Sequence, residues 1–155
     1  MMMGSQSTNW GLIKYRIKVS DTDTGGRVFF PSYIRLINEA ILHAFRTRGI
    51  TLHPTFSLTY VDNKPLEGHF VVGEYFCRIE APSRYDDIVW VEVWVKKIGE
   101  RSITFEGKML DESRSVILAK GWITYVYVHN NKSKEIPREL IEHINSPPTH
   151  IEDYF

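Results

Sequence analysis

Cysteine is almost absent: Cys77 is the only one. No intramolecular disulfide can form, which suits a reducing compartment, and a cytoplasmic location is the expectation. A lone thiol of this kind reads as a small buried apolar residue, not a nucleophile. Net charge is absent too, since 19 Lys and Arg balance 19 Asp and Glu. Without a basic excess, nucleic acid is not an expected partner. No apolar run reaches the roughly 18 residues of a membrane span, and the N-terminus has no basic stretch leading into an apolar one, so no membrane partner is expected. The six His residues show no metal-ligand spacing and belong to no visible Ser-His-Asp set. Neither a metal nor an organic cofactor is expected.

What the chain has in quantity is rings, 13% of its 155 residues, within an apolar share of 43% and a charged share of 25%. That is the balance of one globular unit with large side chains to bury. Residues 12–20 alternate, with Ile13, Tyr15, Ile17 and Val19 on one parity, as in a half-buried strand. Residues 32–48 switch to helical spacing, with Ile34, Ile37, Ile41, Ala44 and Phe45 on one stripe and Leu36, Ala40 and Leu42 widening it. Ser32 is placed to cap the first turn, Gly49 to end the helix. Residues 51–64 hold two prolines and little period, which predicts a loop or short lid. Four strand-like runs follow at 68–80, 88–98, 102–110 and 116–128, separated by short polar turns that predict antiparallel neighbours. A short helix is expected at 138–144.

The order of strand, long helix and four strands predicts an α+β fold. A helix apolar over so wide an arc needs an antiparallel sheet wrapped around it. The expected organisation is a disordered N-terminus over residues 1–10, a single domain over 11–145 and a C-terminal tail over 146–155. Run 88–98 puts four Val residues on one face and Trp90, Glu92 and Trp94 on the other. Rings on a second face need cover, and a subunit contact is the expectation.

Between the first strand and the helix lies Asp21-Thr22-Asp23-Thr24-Gly25-Gly26-Arg27-Val28-Phe29-Phe30-Pro31-Ser32-Tyr33. Asp and Gly at these positions shape turns. A calcium loop is excluded by Gly25 at the fifth position and Ser32 at the twelfth. The two glycines belong to no dinucleotide-binding pattern. A carboxylate beside a helix N-terminus faces unpaired amides and the positive dipole end. Such amides suit a developing oxyanion, and an adjacent Asp can attack a polarised carbonyl or activate water. Phe29 and Phe30 would exclude solvent. The chemistry this favours is hydrolysis of an activated acyl group.

This loop, followed by Asn38-Glu39-Ala40, resembles the signature of hotdog-fold acyl-CoA thioesterases of the 4-hydroxybenzoyl-CoA thioesterase type. Ala81-Pro82-Ser83-Arg84-Tyr85-Asp86-Asp87 is similar to the family's Pro-x-Arg-Tyr-x-Asp turn, and the likeness runs over residues 12–142. The resemblance implies a five-stranded antiparallel sheet around one long central helix, pairing into a homodimer or a dimer of dimers, a homotetramer, with the active site between subunits. It implies that Asp23 is the catalytic carboxylate and that the Phe30 backbone amide polarises the carbonyl, with Asp21, Gly25 and Gly26 shaping the loop. Phe29, Phe30 and Tyr33 would line the substrate site, and Arg84, Lys96, Lys97 and Arg101 would supply cations for acyl-CoA phosphates. Some relatives carry His or Tyr where this chain has Phe30, and many carry Asn where it has Ser32. Another branch of the fold puts its carboxylate on the central helix, where this chain has Glu39. A thioesterase acting on acyl carrier protein, or a hotdog module that binds acyl-CoA without turnover, are the alternatives.

Overall fold

The computed structural model describes residues 10–55 and 57–151. The elements in order are β1 (Gly11–Arg16), a 3-10 turn (Val19–Asp21), α1 (Phe30–Arg46), β2 (Ile50–Leu52), β3 (Leu58–Val61), β4 (Lys64–Glu67), β5 (His69–Ile79), β6 (Ile88–Ile98), β7 (Ser102–Asp111), β8 (Ile117–His129), β9 (Lys132–Ser133) and α2 (Arg138–Ile144). The main sheet has the order β1-β6-β7-β8-β5, and all of its pairings are antiparallel. It curls around α1, the hotdog arrangement. No helix among the described residues is long and apolar enough to cross a membrane.

The helix is buried because its apolar positions recur every three or four residues. Tyr33, Leu36, Ile37, Ala40, Ile41, Ala44 and Phe45 are all buried. Each large one contributes roughly 1.5–3 kcal/mol. The sheet presents Ile13, Val91, Val93, Ile103, Phe105, Met109, Ile123 and Tyr125 to the same core. Two glycines let helix and sheet approach each other. Gly107 and Gly121 pair across β7 and β8. A Cβ on Gly107 would lie 3.0 Å from Ile37 Cγ2, and one on Gly121 would lie 3.3 Å from Ile37 Cδ1 and 2.6 Å from the Phe76 carbonyl oxygen.

The helix starts and ends two residues earlier than its periodicity predicts. Pro31 is pre-set for a first turn, so the helix opens at Phe30. The N-cap is Phe29, and no side chain caps the turn. Ser32 is therefore not the cap; it lies inside the helix, buried, and its amide donates to the Phe29 carbonyl at 2.8 Å. At the other end Gly49 takes φ +77, and Arg48 donates to the Ala44 carbonyl at 3.0 Å.

Three further expectations change. The first strand is shorter, because the chain leaves the sheet after Arg16 to form the 3-10 turn. Residues 51–64 are not a loop: they supply most of a three-stranded sheet, β2-β3-β4. Its strands have three or four residues, too short for alternation to show, and Pro65 sits on an edge strand where its missing donor costs nothing. β5 and β6 are not neighbours: among the described residues β5 pairs only β8, at the edge farthest from β1. Their connection crosses beside the segment between β1 and α1 and bonds to its backbone there. Val28 N–H donates to Ser83 O, Tyr85 N–H to Gly26 O, and Ile17 N–H to Asp87 O, all at 2.8–2.9 Å.

The ends of the chain are partly docked. Residues 1–9 and 152–155 of the expected N-terminus and tail lie outside the described residues. Trp10, at the expected boundary, packs on Phe105 with ring centroids 5.1 Å apart and under the Arg48 guanidinium at 4.7 Å. Thr149 donates to Thr47 O through its amide and its hydroxyl. On the outer sheet face, part of the cover over the Trp rings comes from the chain itself. Arg114 lies 3.8 Å and Lys14 5.1 Å from the Trp90 ring centre, and Trp94 donates to Glu106.

Gly121→Ala should cost about 1–3 kcal/mol, because the backbone of β5 and the helix side chains both stand where the methyl group would go. A thermal melt unchanged from the wild type would contradict this close approach.

Candidate active site

The loop between β1 and α1 is built on Asp21. Its carboxylate is 1% exposed. It accepts hydrogen bonds from the Tyr15 hydroxyl at 2.7 Å, from the Lys18 amide at 2.8 Å, and from the Arg35 guanidinium. Burial pushes the Asp21 pKa up, but the donors from Lys18, Tyr15 and Arg35 together outweigh it and hold the group below the usual carboxylate range. Burial and the Asp21 carboxylate push the Tyr15 hydroxyl up to about 12, so it stays a neutral donor. Strand, loop and helix thus meet on one charge.

Beyond Asp21 the chain makes a tight reversal. The Phe29 amide donates to Asp21 O at 2.9 Å and the Asp23 amide to Arg27 O at 2.8 Å. Gly26 sits at the turn with φ +78, which a side chain rarely adopts. Asp23 Oδ1 accepts from the Gly25 amide at 2.9 Å and the Arg27 amide at 3.2 Å. Unlike Asp21, Asp23 is exposed.

Asp23 and Phe30 line one cleft of about 460 Å³, together with Arg27, Phe29, Tyr33, Ile79 and Pro82. The Phe30 amide belongs to the first turn of α1 and has no acceptor within the helix. The Phe29 and Phe30 rings lie 4.9 Å apart and are 46% and 67% exposed, so in this chain they form the mouth of the cleft, not a closed shield. Tyr33 is buried, and its hydroxyl accepts the Ser83 amide at 3.2 Å, which fixes the cleft wall. A larger groove of about 790 Å³ lies behind Ala81 and Pro82. It contains neither Asp23 nor the start of α1.

Of the cations singled out in the sequence, Arg84 is beside the loop, bridged to Arg27. Lys96, Lys97 and Arg101 are not. β6 begins beside Arg16, near the loop, and Lys96 lies eight positions further on, roughly 27 Å away. Within one chain those three do not reach the cleft; Lys96 pairs with Glu106 at 3.2 Å and Arg101 with Glu100 at 3.7 Å. Glu39 is exposed on α1 and does not line the cleft. Residues that sequence reasoning passed over are Tyr15 and Arg35, which hold Asp21, and Arg27 and Ile79, which line the cleft. Tyr15 and Arg35 flank the loop from two elements, and only the fold brings them together. Among the described residues no group of three or more His, Cys, Asp or Glu side chains is placed to hold a metal ion.

A curled antiparallel sheet around one helix defines a hotdog-fold protein. The model of the thioesterase-like superfamily matches residues 17–144, and the chain belongs to that superfamily. No curated protein sequence matches it. Among solved structures it is similar to a 1,4-dihydroxy-2-naphthoyl-CoA thioesterase from Synechocystis, at 14% identity and a TM-score of 0.75 over 86% of this chain and 94% of that one. A gentisyl-coenzyme A thioesterase shares 25% identity, with a TM-score of 0.67 over 87% and 99% of the two chains. A thioesterase from Thermus thermophilus, solved with coenzyme A and Zn, shares 19% identity, with a TM-score of 0.69 over 89% and 99%.

The Asp21 network gives a prediction with a definite sign. The folded pKa lies below the unfolded one, so the stabilisation is present above the unfolded carboxylate value of about 4 and is lost as pH falls through the folded value. Tyr15→Phe should lower stability at neutral pH by about 1–3 kcal/mol, by removing one donor to a buried charge. Asp21→Asn should lose less of its stability than the wild type on acidification. Parallel acid-unfolding curves for Asp21→Asn and the wild type would contradict this role.

Proposed function

We propose that the protein is an acyl-CoA thioesterase that hydrolyses an acyl- or aryl-CoA thioester to the free acid and CoA. The observation that carries this reading is one cleft bearing both an exposed loop carboxylate, Asp23, and an uncapped helix start at Phe30. The thioester carbonyl oxygen takes the Phe30 amide, where negative charge develops as the carbonyl carbon is attacked. Asp23 acts as nucleophile, or as the base that takes a proton from the attacking water. If Asp23 attacks, the thiolate leaves, takes up a proton, and water then cleaves the acyl–Asp23 anhydride to the free acid; if Asp23 is the base, water adds directly and the thiol and the acid leave together. The coenzyme A in one structural relative and the CoA thioesters named for two others support CoA as the carrier. Phe29 and Phe30 favour an apolar acyl or aryl group at the mouth.

The working unit in this reading is a homodimer or a dimer of dimers. β5 supports it: this edge strand exposes Val71, Val72, Tyr75, Phe76 and Ile79, and its outer row of backbone groups has no strand beside it among the described residues. A second copy would pair there and bring its own residues to the cleft wall that Ile79 forms. A sedimentation profile showing only monomer at micromolar concentration would remove this part of the reading.

Asp23→Asn keeps the shape and removes the charge. It should lower kcat on acyl-CoA by roughly 10²–10⁴-fold, followed as thiol release with a chromogenic reagent. Wild-type rates in that variant would refute the mechanism.

A further inference from the structure

The short helix α2 is tied to the rest of the chain at the end of α1 opposite to Asp23. Its Leu140 and Ile144 are fully buried. The Trp10 indole donates to the Ile144 carbonyl at 2.9 Å, and Arg48 Nε donates to the Ser146 carbonyl at 2.9 Å. Burial lowers the Arg48 guanidinium to about 10, so it is still a cation at neutral pH. Neither donor changes its charge near neutrality.

The tie through His143 differs. Its Nε2 lies 2.9 Å from Asp62 Oδ2, and its Nδ1 lies 2.9 Å from the Glu139 carbonyl oxygen. Both neighbours can only accept. A neutral imidazole carries one N–H, so it serves one of them and turns a lone pair towards the other; the imidazolium donates to both. Asp62 is itself held in place. It sits in the turn between β3 and β4 with φ +50°, and its amide donates to the Gly49 carbonyl at 2.9 Å. Its Oδ1 packs so close to Gly49 that a Cβ there would have no room. The carboxylate is thereby fixed beside the end of α1. The charges acting on the ring are Asp62 from the turn and Glu139 from its own helix. The Asp62 hydrogen bond leads, and together they hold the ring's proton more tightly than usual, against the opposing effect of burial.

We propose that His143 is a pH-sensitive latch: as the imidazolium it ties α2 to the β3–β4 turn, and on losing its proton it gives up that tie and lets α2 open more often. The sign follows from linkage. The folded ring binds its proton more tightly than the unfolded chain does. The added stability is therefore full below the unfolded value of about 6.5 and is lost as pH rises through the folded value. The ring is 25% exposed, so the tie is modest and the opening is local.

The test is ring titration of the full chain by nuclear magnetic resonance. Amide hydrogen exchange is read over the same pH series and corrected for its intrinsic rate. His143 should titrate above 6.5. Protection of residues 139–145 should fall roughly two- to fivefold between about pH 6 and about pH 9, while that of β7 stays level. Asp62→Asn should move the His143 midpoint down towards 6.5, and His143→Gln should make α2 protection independent of pH. A wild-type midpoint at or below 6.5, a protection that does not change with pH, or a fall that persists in His143→Gln overturns the inference. A fall shared equally by β7 marks global unfolding and overturns it too. Should a variant fail to fold, the wild-type midpoint and exchange profile decide alone.

Discussion

A single buried carboxylate holds the working end of this molecule together. Asp21 joins β1 through Tyr15, the 3-10 turn through the Lys18 amide, and α1 through Arg35. A charge taken out of water is costly unless its lone pairs are met. Three donors from three segments meet them, so the loop has little freedom to adopt another shape. Every feature of the cleft is measured from this point. The reversal at Gly26, the orientation of Asp23 and the entry of Phe29 and Phe30 into the helix all lie within nine residues of it.

The rigid anchor permits an otherwise unfavourable helix start. Most helices satisfy their first amides with a side chain at the N-cap; here the N-cap is Phe29, which has no polar group to offer. The stabilisation forgone there is supplied deeper in the helix, by the burial of Leu36, Ile37 and Ile41 and by the glycine pair that lets the sheet close on them. The amides left uncapped are the ones the proposed chemistry needs. The aromatic residues that begin the helix are exposed for a related reason. They are apolar surface at a mouth, where a substrate or a second chain has something to cover.

The sequence makes the long elements and the loop legible, because both rest on local signals. The helix shows in the three-and-four spacing of Ile37, Ile41 and Ala44, and the long strands in their alternation. The class of the protein follows from the Asp-Gly loop leading into Phe-Phe-Pro. What escapes is non-local. The bond from Tyr15 and Arg35 to Asp21 cannot be read from spacing, since both are ordinary members of their own elements. The position of β5 at the far edge is hidden because a short polar turn looks the same before a hairpin and before a crossover. The small sheet β2-β3-β4 is missed because its short strands carry too little period. The Ser32 cap fails because Pro31 pulls the helix start two residues forward. The pairing of Arg27 with Arg84 becomes visible only when the crossover is laid beside the loop.

The central claim places a thioester carbonyl between Asp23 and the Phe30 amide. The most direct measurement is a crystal structure with an acyl-CoA analogue in which a methylene group inserted beside the sulfur blocks hydrolysis. The account predicts that the carbonyl oxygen lies about 3 Å from the Phe30 nitrogen, with the Asp23 carboxylate facing the carbonyl carbon. A carbonyl found in the groove behind Ala81 and Pro82, or beside Glu39 with Asp23 turned away, would contradict it.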